Sequence, residues 1–185
     1  WDGKTPLQDP LCGSGTIPIE AALLAANRAP GHRRQFAFMA WPRFRAGLWE
    51  ALVKEAAARE KPVTVAIHGS DIDAAALAIA EANAARAGVL PTVSWERKPL
   101  AALAPCAHAG LLIGNPPYGR RLGREQDLRP LYRQLGQLLR GPFADWEGAF
   151  LCPEPALAGA VGLPLEEAAV LAHGGLKAHL YRRLP

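Results

Sequence analysis

"VTVAIHGSDIDAAALAIAEANAARAG" (residues 63–88) decides the fold. Its first seven residues are mostly apolar and β-branched, the composition of a strand covered on both faces. Asp71 and Asp73 follow, and either can cap a helix. The alanine-rich run 74–88 then keeps helical propensity until Gly88, a natural stop. A strand, an acidic turn and a helix are most of a βαβ unit, and such units build parallel sheets.

The same alternation extends outward in both directions. "PLQDPLC" (6–12) reads as a strand entering the glycine turn "GSG" (13–15), and "TIPIEAALLAANR" (16–28) as a helix with Pro18 in its first turn. Residues 29–45 are irregular and mix aromatics with arginines; 46–61 read as a second helix, stopped by Pro62. Strands are expected at 92–96, 110–115 and 147–152, with helices at 127–141 and around 154–160. Strands at 167–173 and 176–184 are separated only by His173-Gly174-Gly175, so they form an antiparallel hairpin at one edge. The expected class is α/β: a doubly wound, mostly parallel sheet with an antiparallel edge hairpin, in one domain over 1–185.

Composition narrows the setting. Half the 185 residues are hydrophobic and 21% are charged, as in ordinary globular domains. No apolar run approaches the ~20 residues of a membrane span, and no signal peptide is visible. Cys12, Cys106 and Cys152 are widely spaced, with no Cys-x-x-Cys pair. That argues against a disulfide framework or a zinc site and fits a reducing, cytoplasmic setting. A net charge of +4 permits a polyanionic partner. The sequence starts at Trp1 without a methionine, so an excised domain is expected.

In open α/β sheets, ligands bind beyond the carboxyl ends of strands where strand order reverses. Three motifs stand at such ends: "DPLCGSGT" (9–16), "GSDID" (69–73) and "NPPY" (115–118). The glycine turn lets backbone approach a ligand, and the helix after it offers free N–H groups. It is not a good dinucleotide fingerprint: Pro18 takes the third glycine position, which makes close helix–strand packing over a pyrophosphate doubtful. Asp71 stands where a carboxylate can take both ribose hydroxyls of a nucleoside; Asp73 is the alternative cap.

Pro116 and Pro117 cannot donate to a ladder, so the strand halts at Asn115 and presents an amide beside Tyr118. A planar exocyclic amine on a base is a poor nucleophile, since its lone pair is delocalised into the ring. The Asn115 side-chain oxygen and the Pro116 carbonyl can each accept one amine hydrogen. Tyr118 offers a face for an extruded base, a contact worth about 1–3 kcal/mol. Catalysis of this kind is positioning.

In this order and spacing, the three motifs resemble the class I S-adenosylmethionine-dependent amino-methyltransferases. "DPLCGSGTIPIEAALLAANRAPG", the Phe/Trp/Arg-rich stretch after it and "NPPYGRRLG" are similar to the bacterial 23S rRNA guanine-N2 methyltransferases, relatives of THUMP-containing tRNA enzymes. The resemblance implies a seven-stranded, Rossmann-like methyltransferase fold, S-adenosylmethionine as donor and N2-methylguanosine as product. By position it implies that Asp9, Cys12, Gly13, Ser14, Gly15 and Thr16 line the methionine part of the cofactor. Asp71 and Ile72 would hold its nucleoside. Asn115, Pro116, Pro117 and Tyr118 would hold the target base, with Asn115 bordering the cofactor as well. Two departures are visible. Pro99 stands where related enzymes place an aspartate near the adenine amine, and the N-terminal THUMP region is absent.

RNA is the expected partner, rRNA before tRNA. Arg120, Arg121 and Arg124, with Arg129 beyond, are placed to grip phosphates around the flipped base. Between Arg33 and Arg45, Phe36, Phe38, Trp41 and Phe44 alternate with arginines. Packing against the sheet is the favoured reading there, a stacking surface for RNA the alternative. Asn-Pro-Pro-Tyr also occurs in adenine-N6 DNA methyltransferases and in glutamine methyltransferases of release factors, which keep the chemistry and change the acceptor. A non-catalytic RNA-binding module is a third reading.

Overall fold

A computed structural model describes residues 1–31, 34–117, 127–173 and 176–184. In chain order the elements are β1 (Leu7–Asp9), α1 (Thr16–Ala25), α2 (Ala46–Ala58), β2 (Ile67–Asp71), α3 (Ala74–Ala87), β3 (Ser94–Arg97) and β4 (Leu111–Gly114). They continue with α4 (Arg129–Arg140), β5 (Glu147–Cys152), α5 (Pro155–Gly159), β6 (Glu166–His173) and β7 (Leu176–Arg183).

The strands form one seven-stranded sheet in the order β3-β2-β1-β4-β5-β7-β6. β1 to β5 pair in parallel. β7 is antiparallel to both β5 and β6, so the hairpin takes the edge. The Gly174-Gly175 turn expected between its strands lies outside the described residues.

Each face of the sheet is covered by helices. On one side Leu7 and Ile67 lie under Ile19, Ala22 and Ala25 of α1 and Ala84 of α3. On the other, Leu112 lies under Leu135, Leu138 and Leu139 of α4, and Phe150 under Tyr132, Leu157 and Val161. Each buried Leu or Ile contributes about 1.5–3 kcal/mol relative to exposure. Trp146, fully buried, donates its indole N–H to the Ala107 carbonyl at 3.1 Å.

Local chemistry sets both ends of α3. The Asp73 side chain accepts the Ala75 N–H at 2.8 Å and starts α3; Gly88 ends it in the left-handed conformation. β2 begins at Ile67 rather than at Val63, because β1 is only three residues long and pairing starts at Leu7↔Ile67. Val63 and Val65 pack against the core as irregular chain.

Residues 34–58 depart from the packing expected of them. Neither the 3-10 turn Ala37–Ala40 nor α2 contributes a buried residue. The aromatic rings pack on each other: Phe38 contacts Phe36, Phe44 and Trp49 at centroid distances of 5.3, 5.9 and 5.3 Å. Among the described residues the insertion is tied where Lys61 N–H donates to the Ala26 carbonyl and the Asn27 amide to the Arg59 carbonyl, both at 2.9 Å. α1 runs back from the carboxyl end of β1, so this anchor lies at the amino-terminal edge of the sheet.

Candidate active site

Strand order runs from β1 through β2 to β3 in one direction and from β4 to β5 in the other, so β1 and β4 flank the point of reversal. Asp9 and Gly114 end these two strands, and a Cβ on Gly114 would lie 3.4 Å from Asp9 Oδ1. Asp9 is 2% exposed, and its Oδ1 accepts the Leu11 N–H at 3.0 Å. Burial pushes its carboxyl up to about 7; the Leu11 hydrogen bond opposes the rise and the charge of Asp71 adds to it. Asp9 thus supports the glycine turn from beneath.

That turn is built by backbone. Cys12 N–H donates to the Ser70 carbonyl at 3.0 Å, and Gly15 N–H to the Cys12 carbonyl at 2.8 Å. Gly13 and Gly15 have φ of 52° and 83°, a region costly for other residues. A Cβ on Gly15 would meet Trp95 at 2.8 Å and Ala80 at 2.9 Å, whereas one on Gly13 would meet no described atom within 4 Å. Gly15 is therefore a packing requirement, and Gly13 borders open space. Ser14 and Thr16 are exposed, and no side chain caps the start of α1. The close helix–strand approach made doubtful by Pro18 is made by the strand instead: Gly69 leaves room for Pro18 and Trp95.

Asp71 and Asp73 divide the two roles the sequence left open. Asp73 caps α3, while Asp71 Oδ2 accepts the Gly13 N–H at 2.9 Å and its Oδ1 the Asp73 N–H at 3.0 Å. A carboxylate has about four acceptor sites, so two remain for a ligand. Ile72, beside it, is 64% exposed and offers an apolar face. Arg97 Nε donates to the Ile72 carbonyl at 3.1 Å and Lys98 N–H to the Asp71 carbonyl at 3.0 Å. Pro99, where an aspartate was expected, precedes the 3-10 turn Leu100–Ala102.

Two supports escaped sequence reasoning. Asn83 on α3 donates its amide to the Ser14 carbonyl at 2.8 Å, holding the outer side of the turn. Arg97 holds the Ile72 carbonyl as described. The available signal for Asn83 was an amide in the middle of an alanine-rich helix, where it gains nothing from propensity.

At the end of β4, Pro116 is fully buried and Pro117 exposed. The Asn115 Oδ1 between strand and prolines is buried and has no hydrogen-bond partner among the described residues. An unpaired buried acceptor costs about 1–3 kcal/mol, and a donor reaching Asn115 Oδ1 would remove that cost. Tyr118, Arg120, Arg121 and Arg124 lie outside the described residues. Arg129 pairs with Asp127 at 2.8 Å on the exposed start of α4.

The surroundings of Cys12 disfavour the thiolate that a nucleophile needs. Its thiol is pushed up to about 12, first by burial and then by the charges of Asp9 and Asp71. Among the described residues no group of His, Cys, Asp and Glu fits a metal ion, and no helix is long and apolar enough to cross a membrane. A groove of about 650 Å³ follows α1, but of the motif residues only Thr16 lines it.

The sheet order, the glycine turn after β1, the acidic end of β2 and Asn-Pro-Pro after β4 define a class I methyltransferase domain. The chain belongs to the RMKL-like methyltransferase domain family, whose profile matches residues 1–163. It is 44% identical over 176 residues to the ribosomal RNA large subunit methyltransferase K/L of Legionella pneumophila (strain Corby), covering 95% of this chain and 25% of that protein. It is 41% identical over 183 residues to the protein of the same name from Shewanella baltica (strain OS195), covering 96% and 26%. The crystal structure of SMU.472 complexed with SAH superposes with a TM-score of 0.91 at 32% identity, covering all of this chain and 49% of that one. The chain spans about a quarter of the length of the curated relatives it matches.

Proposed function

We propose that this domain transfers a methyl group from S-adenosylmethionine to the exocyclic N2 amine of a guanosine in RNA, large-subunit ribosomal RNA before transfer RNA. The carrying observation is the buried Oδ1 of Asn115, without a hydrogen-bond partner among the described residues, beside the buried Pro116. The names of the K/L relatives and the SAH bound to SMU.472 support the donor and the acceptor class.

The residues fit such a donor. Open space beside Gly13, the uncapped start of α1, two spare acceptor sites on Asp71 and the exposed Ile72 face suit an amino-acid end, a ribose diol and a flat base. The backbone of Cys12, Gly13, Ser14, Gly15 and Thr16 would hold the methionine end, with Asp9 beneath, and Asp71 with Ile72 the nucleoside. When bound, S-adenosylmethionine supplies an electrophilic methyl group. Asn115 Oδ1 and the Pro116 carbonyl accept the two amine hydrogens and turn the nitrogen lone pair toward the donor site. Pro117 stiffens that corner, and Tyr118 stacks on the extruded base. Arg120, Arg121 and Arg124 grip the phosphates around it. Asn115 holds the amine and takes no proton; the proton that the amine loses on methylation passes to water.

The test uses the full chain and methyl-labelled S-adenosylmethionine, with unmodified rRNA, tRNA and DNA offered separately. N2-methylguanosine released from digested rRNA is expected. Label in N6-methyladenine, or in no nucleic acid at all, overturns the proposal.

A further inference from the structure

The aromatic–arginine insertion between α1 and β2 has no part in the site just described, and it is not buried. Phe38, Phe44 and Trp49 form the wall of an open cup of about 520 Å³, rimmed by Trp41, Leu48 and Leu52. Phe38 meets Trp49 edge to face, with an interplanar angle of 71°, so the two rings brace each other. Trp41 is 67% exposed at the rim, and Leu48 and Leu52 are 57% and 50% exposed. Arg43 and Arg45 line the same cup. Among the described residues neither has a carboxylate within ion-pair distance, and the sequence from Arg34 to Trp49 contains no acidic residue.

Two guanidinium groups lining one cup, with no carboxylate in ion-pair distance among the described residues, beside an aromatic wall, match the chemistry of a base and its flanking phosphates. Bases stack on aromatic faces regardless of sequence, and arginine serves both the phosphate and the ring. A purely apolar protein segment would cover the rings and leave both arginines unanswered. We propose that this cup binds unpaired nucleotides of the RNA substrate, outside the base that is methylated. The inference rests on the RNA reading above and adds a subsite to it. The insertion is anchored where Ala26 meets Lys61, at the end of the sheet opposite Asn115.

The test compares the full chain with Trp41→Ala, Trp41→Phe and the double variant Arg43→Ala/Arg45→Ala, all at exposed positions. Methyl transfer to unmodified large-subunit rRNA and binding of the same RNA over a salt series are measured, with S-adenosylmethionine affinity as a control. Trp41→Ala should raise KM and Kd for RNA about tenfold with kcat unchanged, and Trp41→Phe should restore both. The arginine pair should lower the slope of log affinity against log salt by about 1.4, the single-strand value for two phosphates. RNA affinity and salt slope equal to the unaltered chain in all three variants overturn the cup. So does a loss of thermal stability in Trp41→Ala with RNA binding intact, which would make it a protein-packing surface. If the unaltered chain itself neither binds nor methylates RNA, the failure belongs to the function proposed above.

Discussion

Asp71, at the end of β2, holds the turn after β1: its Oδ2 accepts the Gly13 N–H at 2.9 Å across 58 positions of sequence. The other oxygen accepts the Asp73 N–H at 3.0 Å, so one carboxylate fixes both the glycine turn and the approach to α3.

Asp71→Ala removes both bonds together with the acceptors left for a ribose. A hydrogen bond to a charged group contributes about 1.5–3 kcal/mol, so S-adenosylmethionine affinity should fall roughly 10- to 100-fold. Asp71→Asn should fall between the two. Calorimetric titration of the full chain measures this, and an unchanged dissociation constant in Asp71→Ala removes the residue from the cofactor site.

The two glycines of the turn should fail differently. Gly15→Ala places a methyl 2.8 Å from Trp95 and 2.9 Å from Ala80 at a φ of 83°. Overpacking costs about 1–3 kcal/mol and the left-handed conformation about 1–2 more. Gly13→Ala meets open space and bears only the backbone cost, but its methyl intrudes on the ligand side. Thermal melts should show the larger loss for Gly15→Ala. Gly13→Ala should keep most of its stability and lose cofactor affinity. Equal melting temperatures would contradict this division.

Asp9 gives a pH dependence of definite sign. Its folded carboxyl titrates near 7, raised by burial, against about 3.9 in an unfolded chain. The folded state therefore holds the extra proton between these values. Asp9's contribution to stability is fully present below about pH 4 and is lost as pH rises through 7, by at most about 1.4 kcal/mol per unit. Asp9→Asn keeps an acceptor for Leu11 and carries no charge, so denaturant melts should lose this part of the slope and show a gain at pH 8. A slope identical to the unaltered chain's would contradict the assignment.

What the sequence made legible was local. β5 spans the expected 147–152, and Asp73 and Gly88 bound α3, because caps and short apolar runs act through near neighbours. The motifs stood at the carboxyl ends of strands, whereas the reversal between β1 and β4 is visible only in the strand pairing. What stayed hidden depended on distant pairing. β2 starts late because β1 is short, and Asn83 serves Ser14 from 69 positions away. Asp71 meets its own backbone before any ligand. The aromatics of 36–49 have the composition of a core yet form one of their own outside the sheet, and no pattern along the chain reports which surface a ring meets.

Asn115 carries the central claim. In the full chain, Asn115→Ala deletes the buried acceptor with no cofactor contact through Asp71 or the glycine turn disturbed. The decisive measurement pairs single-turnover methyl transfer to unmodified rRNA with S-adenosylmethionine binding by the same protein. Transfer should fall at least about 100-fold, on the order of a lost transition-state donor or acceptor in a preorganised site, while cofactor affinity stays within a few-fold. Transfer at the unaltered rate, or loss of cofactor binding in its place, would contradict the account.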